Sequence, residues 1–242
     1  KSTLVDRLVA ELRKTSEKVA VVCIDPSSPF SGGAILGDRI RMNALFNSKI
    51  FFRSMATRKS AQEVKPVLSD IINTCKLAAF DLIIIETPGI GQGDAAIVPF
   101  VDYSLYVMTP EYGAASQLEK IDMIDFADVI AINKFDRKGA LDALREVRKQ
   151  AQRSHEIFNE PLENMPVFGT IASKFNDSGV TALYQSLLEL FKIKQPNRWS
   201  TQFPVLKNKV SDFTTTIIPP QRNRYLADIA DTVKTYKEKV NK

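Results

Sequence analysis

The 242 residues contain one histidine, His155, two cysteines, Cys23 and Cys75, and one tryptophan, Trp199. A single histidine excludes a His-rich metal site. Two cysteines cannot build the disulfide framework of a small secreted domain, so a reducing cytoplasm is the expected compartment. No apolar run approaches the ~18 residues of a membrane span, and no signal-peptide pattern opens the chain; neither a membrane nor an export route is expected. Positive charge is also scarcer than it looks. The formal net charge is +5, yet residues 1–192 carry 23 Lys and Arg against 24 Asp and Glu, while residues 193–242 carry 10 against 4. The basic excess belongs to the tail, which argues for a linker or docking strap and against a nucleic-acid partner.

What is present suits a soluble α/β protein. At 44% apolar and 25% charged residues the chain can bury a substantial core. It starts at Lys1-Ser2-Thr3 with a helical pattern already under way and reads as a piece of something longer. Continuous β-branched runs at Val19–Ile24, Leu82–Ile85, Tyr103–Met108 and Val129–Ile132, with shorter ones at Ile50–Phe52 and Val167–Ile171, suit strands buried on both faces of a parallel sheet. Helical patterns lie between them at Ser2–Lys14, Ser60–Ala79, Ala114–Ile124, Arg137–Arg153 and Thr181–Phe191, with Pro66 near a helix start. The alternation predicts a doubly wound, mostly parallel sheet with helices on both faces, over residues 1–192. Residues 193–242 read as a linker: prolines, Trp199, then a helix over 221–240 with an apolar stripe.

In such folds ligands bind at the carboxyl ends of the strands. Six of the ten glycines sit in two loops there, Gly32, Gly33 and Gly37, then Gly89, Gly91 and Gly93. Lys1-Ser2 matches the end of a phosphate loop, G-x-x-x-x-G-K-[ST], whose lysine meets the β/γ-phosphates and whose hydroxyl ligates Mg²⁺. The strand Asp81–Ile85 ends in Glu86-Thr87-Pro88-Gly89, the arrangement in which a strand-end carboxylate holds Mg²⁺ and a glycine amide senses the γ-phosphate. The strand Asp128–Ile132 ends in Asn133-Lys134-Phe135-Asp136. In this N-K-x-D element the aspartate accepts from guanine N1–H and the exocyclic amine, the lysine stem covers the base, and the asparagine braces the loop. The next strand ends in Ala172-Ser173-Lys174, where a backbone amide meets guanine O6. Four elements in this order, each at a strand end, point to a GTPase. After Val19–Ile24 come Asp25-Pro26-Ser27-Ser28 and a Gly-rich loop ending in Asp38; the two aspartates can converge on one Mg²⁺, and Arg41 is within reach of a phosphate. Gln92 can orient the attacking water, or be a solvated loop residue. Cys23 fits core packing better than ligation, and His155 fits a solvated or capping position.

The run D-P-S-S…G-G-A-I-L-G-D-R-I-R-M at 25–42, with E-T-P-G-I-G-Q at 86–92 and N-K-F-D at 133–136, resembles the G-protein chaperones of adenosylcobalamin-dependent acyl-CoA mutases, the methylmalonyl-CoA mutase-associated GTPases. The segments 133–139, 156–164, 167–177 and 218–226 resemble the version built into one polypeptide, the fused isobutyryl-CoA mutases. The resemblance covers about residues 1–192. It implies a P-loop NTPase fold of the GTPase kind with a helical C-terminal linker, its first strand and phosphate-loop glycines lying upstream of Lys1. It implies Mg²⁺ held by Ser2, Asp25, Asp38 and Glu86 with Ile24 and Thr87 nearby, phosphates met by Lys1, Thr3 and Arg41, and guanine met by Asn133, Lys134 and Asp136. Lys1, Glu86 and Gln92 would be catalytic in GTP hydrolysis, with Ser173 and Lys174 completing the nucleotide site. Adenosylcobalamin, the acyl-CoA and the isobutyryl-CoA to n-butyryl-CoA rearrangement would belong to cobalamin-binding and mutase domains of the same polypeptide, a homodimer at full length. Other readings are a free-standing mutase-associated chaperone, a nickel-insertion GTPase, for which the cysteines and histidine give no ligand spacing, and a non-catalytic nucleotide sensor.

Overall fold

In the computed structural model, residues 1–12, 14, 17–26, 42, 49–57, 64–87, 94–119, 121–212 and 225–240 are described. They form two compact units, Lys1–Ser211 and Asp212–Lys242. The first holds six strands: β1 (Val19–Pro26), β2 (Ile50–Thr57), β3 (Leu82–Glu86), β4 (Leu105–Met108), β5 (Val129–Asn133) and β6 (Val167–Thr170). Every pairing is parallel, in two three-stranded sheets ordered β2-β1-β3 and β4-β5-β6. The β-branched runs account for this, because a parallel strand covered by helices on both faces needs apolar side chains at every position. Residues Val19–Ile24 of β1 and all five of β5 are buried.

Strand β3 breaks that pattern. Its Leu-Ile-Ile-Ile run is as apolar as β5, yet each residue is only half-buried, and β4 is half-buried up to Met108. The two strands line a cavity of about 460 Å³, with Leu8 and Leu12 on its wall beside Ile97 and Phe100.

Helix α1 (Ser2–Leu12) ties the sheets together. Leu4, Leu8 and Leu12 recur every fourth residue on one face; Leu4 packs with Val129, Ala131 and Phe168, while Leu8 and Leu12 pack with Val19, Val21 and Cys23. Helix α2 (Val64–Leu77) puts Leu68 and Ile72 against Ile24. Pro66 falls in its first turn, where a missing N–H costs no helical bond.

The single helix expected over 114–124 is two separate turns, α3 (Ala115–Leu118) and α4 (Met123–Phe126). The reason is burial. Leu118 and Ile124 both enter one core cluster, but six positions apart on a continuous helix they would point about 120° apart. Breaking the helix lets both face inward.

Helix α5 (Ala140–Ser154) covers β5 and β6 with Ala143, Leu144, Val147 and Ala151, and His155 is its C-cap residue. Helix α6 (Ser178–Lys194) is capped by Asp177, whose side chain accepts from Val180 N. In the second unit, α7 (Tyr225–Val240) carries Ile229, Val233 and Tyr236 at helical spacing.

Trp199, read from the sequence as part of the linker, is 4% exposed, its ring 5.3 Å from that of Phe191. Beside it Arg198 forms ion pairs with Glu17 and Asp81, and Phe203 meets Tyr184 edge-on. Gln185 takes Leu206 N on its oxygen at 3.1 Å and gives its amide to Pro204 O at 2.8 Å. Residues 195–211 are therefore a strap across α6, ending in a parallel bridge from Val210 to Gly169 of β6. Trp199→Ala is expected to lower unfolding stability by about 3–5 kcal/mol, read as the shift of the urea midpoint. An unchanged midpoint would mean that the strap is not part of the cooperative unit.

Candidate functional site

Parallel strands present all their carboxyl ends on one side, so the segments that follow β1, β3, β5 and β6 share an edge. Three links fix them there.

The first joins α1 to β3. Ser2, the first residue of α1, is buried and donates its hydroxyl to Glu86 Oε1 at 3.2 Å. The register of β1 on β3 places Cys23 opposite Glu86, and the buried thiol lies 3.6 Å from Glu86 Oε2. Glu86 is thus held at the strand end between a hydroxyl and a thiol. Lys1 is exposed just ahead of the helix, and its carbonyl accepts from Leu4 N and Val5 N. Thr3 faces solvent, and Thr87 is half-buried after Glu86. Ile24 sends its side chain into the core beside Leu68 and Ile72, which leaves its carbonyl as the oxygen it can offer.

The second joins β5 to β6. Asn133 pairs with Thr170 across the sheet and is 6% exposed. Its Oδ1 accepts from Ala172 N at 3.1 Å and Thr170 Oγ1 at 3.3 Å. Phe135 N donates to Thr170 O at 3.0 Å, and Lys174 N to Ile171 O at 2.9 Å. Lys134 has φ +59°, a left-handed conformation uncommon for a side chain with Cβ and concentrated at functional turns. It turns the chain so that Phe135 is buried while Lys134 and Asp136 stay exposed. A Cβ on Gly169 would lie 2.6 Å from the Phe135 ring, so that glycine is required for the buried phenylalanine under the turn. Ser173 is exposed and Lys174 half-buried on the facing loop.

The third joins the two halves. Arg7 of α1 donates Nε to Ala172 O at 3.2 Å, so one helix touches Glu86 at its first turn and the β6 loop at its second.

Near these links, Glu111 forms an ion pair with Arg137 directly after the Asn133–Asp136 turn. The Thr109 hydroxyl, followed by Arg137, holds the Glu111 carboxyl down at about 2. Sequence reasoning missed this pair, and it missed Asp177, although an aspartate before an apolar helix is a start signal. Of the expected site residues, the structure brings Ser2 to Glu86, and Asn133 to the Ala172–Lys174 loop. The Asp25 side chain, Asp38, Arg41 and Gln92 lie outside the described residues. Among the described residues no three His, Cys, Asp or Glu side chains cluster as a metal site.

The family pattern described as "Methylmalonyl Co-A mutase-associated GTPase MeaB" matches residues 1–207. The chain is similar to the fused isobutyryl-CoA mutase of Cupriavidus metallidurans, with 56% identity over 243 residues that make up 99% of this chain and 22% of the relative. It spans about a fifth of the length of the mutase relatives it matches. Its fold is similar to LAO/AO transport system kinase, with TM-score 0.54 and 19% identity over 99% of this chain and 64% of that one. It is also similar to HypB from Helicobacter pylori, solved with nickel, with TM-score 0.53 and 15% identity over 84% and 86%. Those two likenesses are of fold, the parallel-sheet P-loop GTPase.

Asn133→Ala would leave Ala172 N buried without its acceptor. A loss of about 1–3 kcal/mol in unfolding stability is expected, with weaker nucleotide binding. A urea midpoint within error of the parent would contradict this bracing.

Proposed function

Because this chain belongs to the MeaB family of methylmalonyl-CoA mutase-associated GTPases, we propose that it is the GTP-hydrolysing chaperone segment of a fused isobutyryl-CoA mutase, gating adenosylcobalamin loading and protecting the mutase. The observation that carries this reading is the assembly of Ser2 and Glu86 on one strand end with the tied Asn133–Asp136 and Ala172–Lys174 loops on another.

The reaction is transfer of the γ-phosphoryl group of GTP to water, cleaving its bond to the bridging oxygen and leaving GDP and phosphate. Lys1 meets the β/γ-phosphates, Thr3 and Arg41 meet phosphate oxygens, and the first amides of α1 point at the same anion. Asp136 accepts from guanine N1–H and the exocyclic amine, Lys134 covers the base, and the Ala172–Lys174 amides receive O6. Gln92 orients the attacking water.

The meeting of Ser2 hydroxyl with Glu86 carboxylate supplies hard oxygen donors, which fits Mg²⁺. Asp25, Asp38, the Ile24 carbonyl and Thr87 would complete the set. Held there, Mg²⁺ would supply positive charge to offset the negative charge that develops on the leaving diphosphate. The chain's part is to hold those donors in place.

The cavity between β3 and β4 has room for one further parallel strand. Supporting this is the half-burial of β3 and β4, whose composition calls for full cover. Residues 193–242 connect to the mutase domains, with the first part strapped to the GTPase. The cobalamin and acyl-CoA bind in those other domains of a cytoplasmic homodimer. A nickel-insertion role has no comparable support, since Cys23 and Cys75 are both buried.

The intact polypeptide is expected to bind GTP far more tightly than ATP, and Asp136→Asn to shift preference toward xanthosine triphosphate. Titration calorimetry decides. Equal affinity of the parent for GTP and ATP would sink the assignment.

A further inference from the structure

Behind the base loop lies a buried carboxylate that joins it to the strap. Asp177 is 3% exposed. Its Oδ2 takes three donors: Ile171 N at 3.1 Å, Val180 N at 3.0 Å and Ser211 Oγ at 2.8 Å. Its Oδ1 has no hydrogen-bond partner among the described residues. Val180 N is the helix cap. Ile171 N is the amide immediately before Ala172, so the loop is pinned twice, by Asn133 at Ala172 and by Asp177 at Ile171.

Ser211 comes from the far end of the strap, 34 positions away. Its backbone amide donates to Gly169 O at 2.9 Å, and Gly169 N donates to Lys209 O at 3.0 Å, which extends β6 by one bridged residue pair. Lys209 anchors the same stretch with its ammonium on Asn164 O at 2.7 Å and Met165 O at 2.9 Å. The fit leaves no slack. A Cβ on Gly179 would lie 2.0 Å from Gly169 O and 2.6 Å from Ser211 Oγ.

We propose that Asp177 and Ser211 are positioning residues for base selection. By adding the Ser211 hydroxyl to the donors on Asp177 Oδ2, the strap helps to fix Ile171 N and hence the height of the Ala172–Lys174 amides that receive guanine O6. The proposal rests on the GTPase reading above. The physical reason is one of satisfaction. The Ser211 hydroxyl lies between Asp177 Oδ2 at 2.8 Å and Gly169 O at 3.1 Å. Its loss leaves the buried carboxylate, among the described residues, with only Ile171 N and Val180 N. That deficit is costly at a buried charge and bears on the loop amide through the bond it already makes. The two sides of the base are thereby read by separate devices, one edge by Asp136 and O6 by amides that the strap holds level.

The test measures affinities of the intact polypeptide for GTP, 6-thio-GTP and ITP, with thermal melts as the control for folding. 6-Thio-GTP replaces O6 with sulfur, a weaker acceptor, and keeps the edge read by Asp136; ITP lacks the exocyclic amine and keeps O6. Ser211→Ala is expected to reduce the preference for GTP over 6-thio-GTP about fivefold and to leave the preference over ITP unchanged. Asp177→Asn, which keeps the shape of the side chain, should do the same. If it does not fold, the milder Ser211→Ala decides alone. A parallel fall in both preferences would show general loosening and overturn the proposal, as would no change in either. If the parent does not prefer GTP to ATP, the GTPase reading fails; if it does and the 6-thio ratio stays fixed, only the positioning role fails.

Discussion

Much of the candidate site depends on one carboxamide. Asn133 Oδ1, buried at the end of β5, accepts from Ala172 N and Thr170 Oγ1, and its burial makes those bonds costly to lose. It can do so because the parallel register sets Asn133 beside Thr170, and because Lys134 takes a left-handed turn that drops Phe135 into the core. Gly169 leaves room for that ring. The result is a turn whose buried positions anchor it and whose exposed positions, Lys134 and Asp136, are left for a ligand.

The phosphate side is built differently. There α1 spans two half-sheets, with Leu4 in one cluster and Leu8 and Leu12 in another. Its first turn reaches Glu86 through Ser2, and its second reaches Ala172 through Arg7. One helix therefore ties the Glu86 strand end to the Ala172 loop. The cavity between β3 and β4 lies under that helix.

The strands and the ends that carry the site were legible because a parallel strand buried on both faces must be apolar throughout, and the residue where the run stops is where a ligand can be met. Asn133 and Glu86 stand at such stops. Long-range contacts were not legible. Nothing local tells that Trp199, among polar and proline residues, folds back onto Phe191, or that Ser211 reaches Asp177. The helix expected at 114–124 failed for a related reason: its pattern was amphipathic, yet Leu118 and Ile124 had to enter the same core from positions that no continuous helix aligns. The Asp25 carboxylate, Asp38, Arg41 and Gln92 stand on sequence alone.

In the proposed function, nucleotide state is written at the strand ends and carried out through loops and strap to the domains that hold cobalamin. The most direct measurement is adenosylcobalamin uptake by the cofactor-free intact polypeptide, followed spectrally with no nucleotide, GTP, a non-hydrolysable GTP analogue, or ATP. Gating by nucleotide predicts that GTP and its analogue change the rate or extent of uptake and differ from one another, while ATP leaves it as without nucleotide. Identical uptake under all four conditions would contradict it.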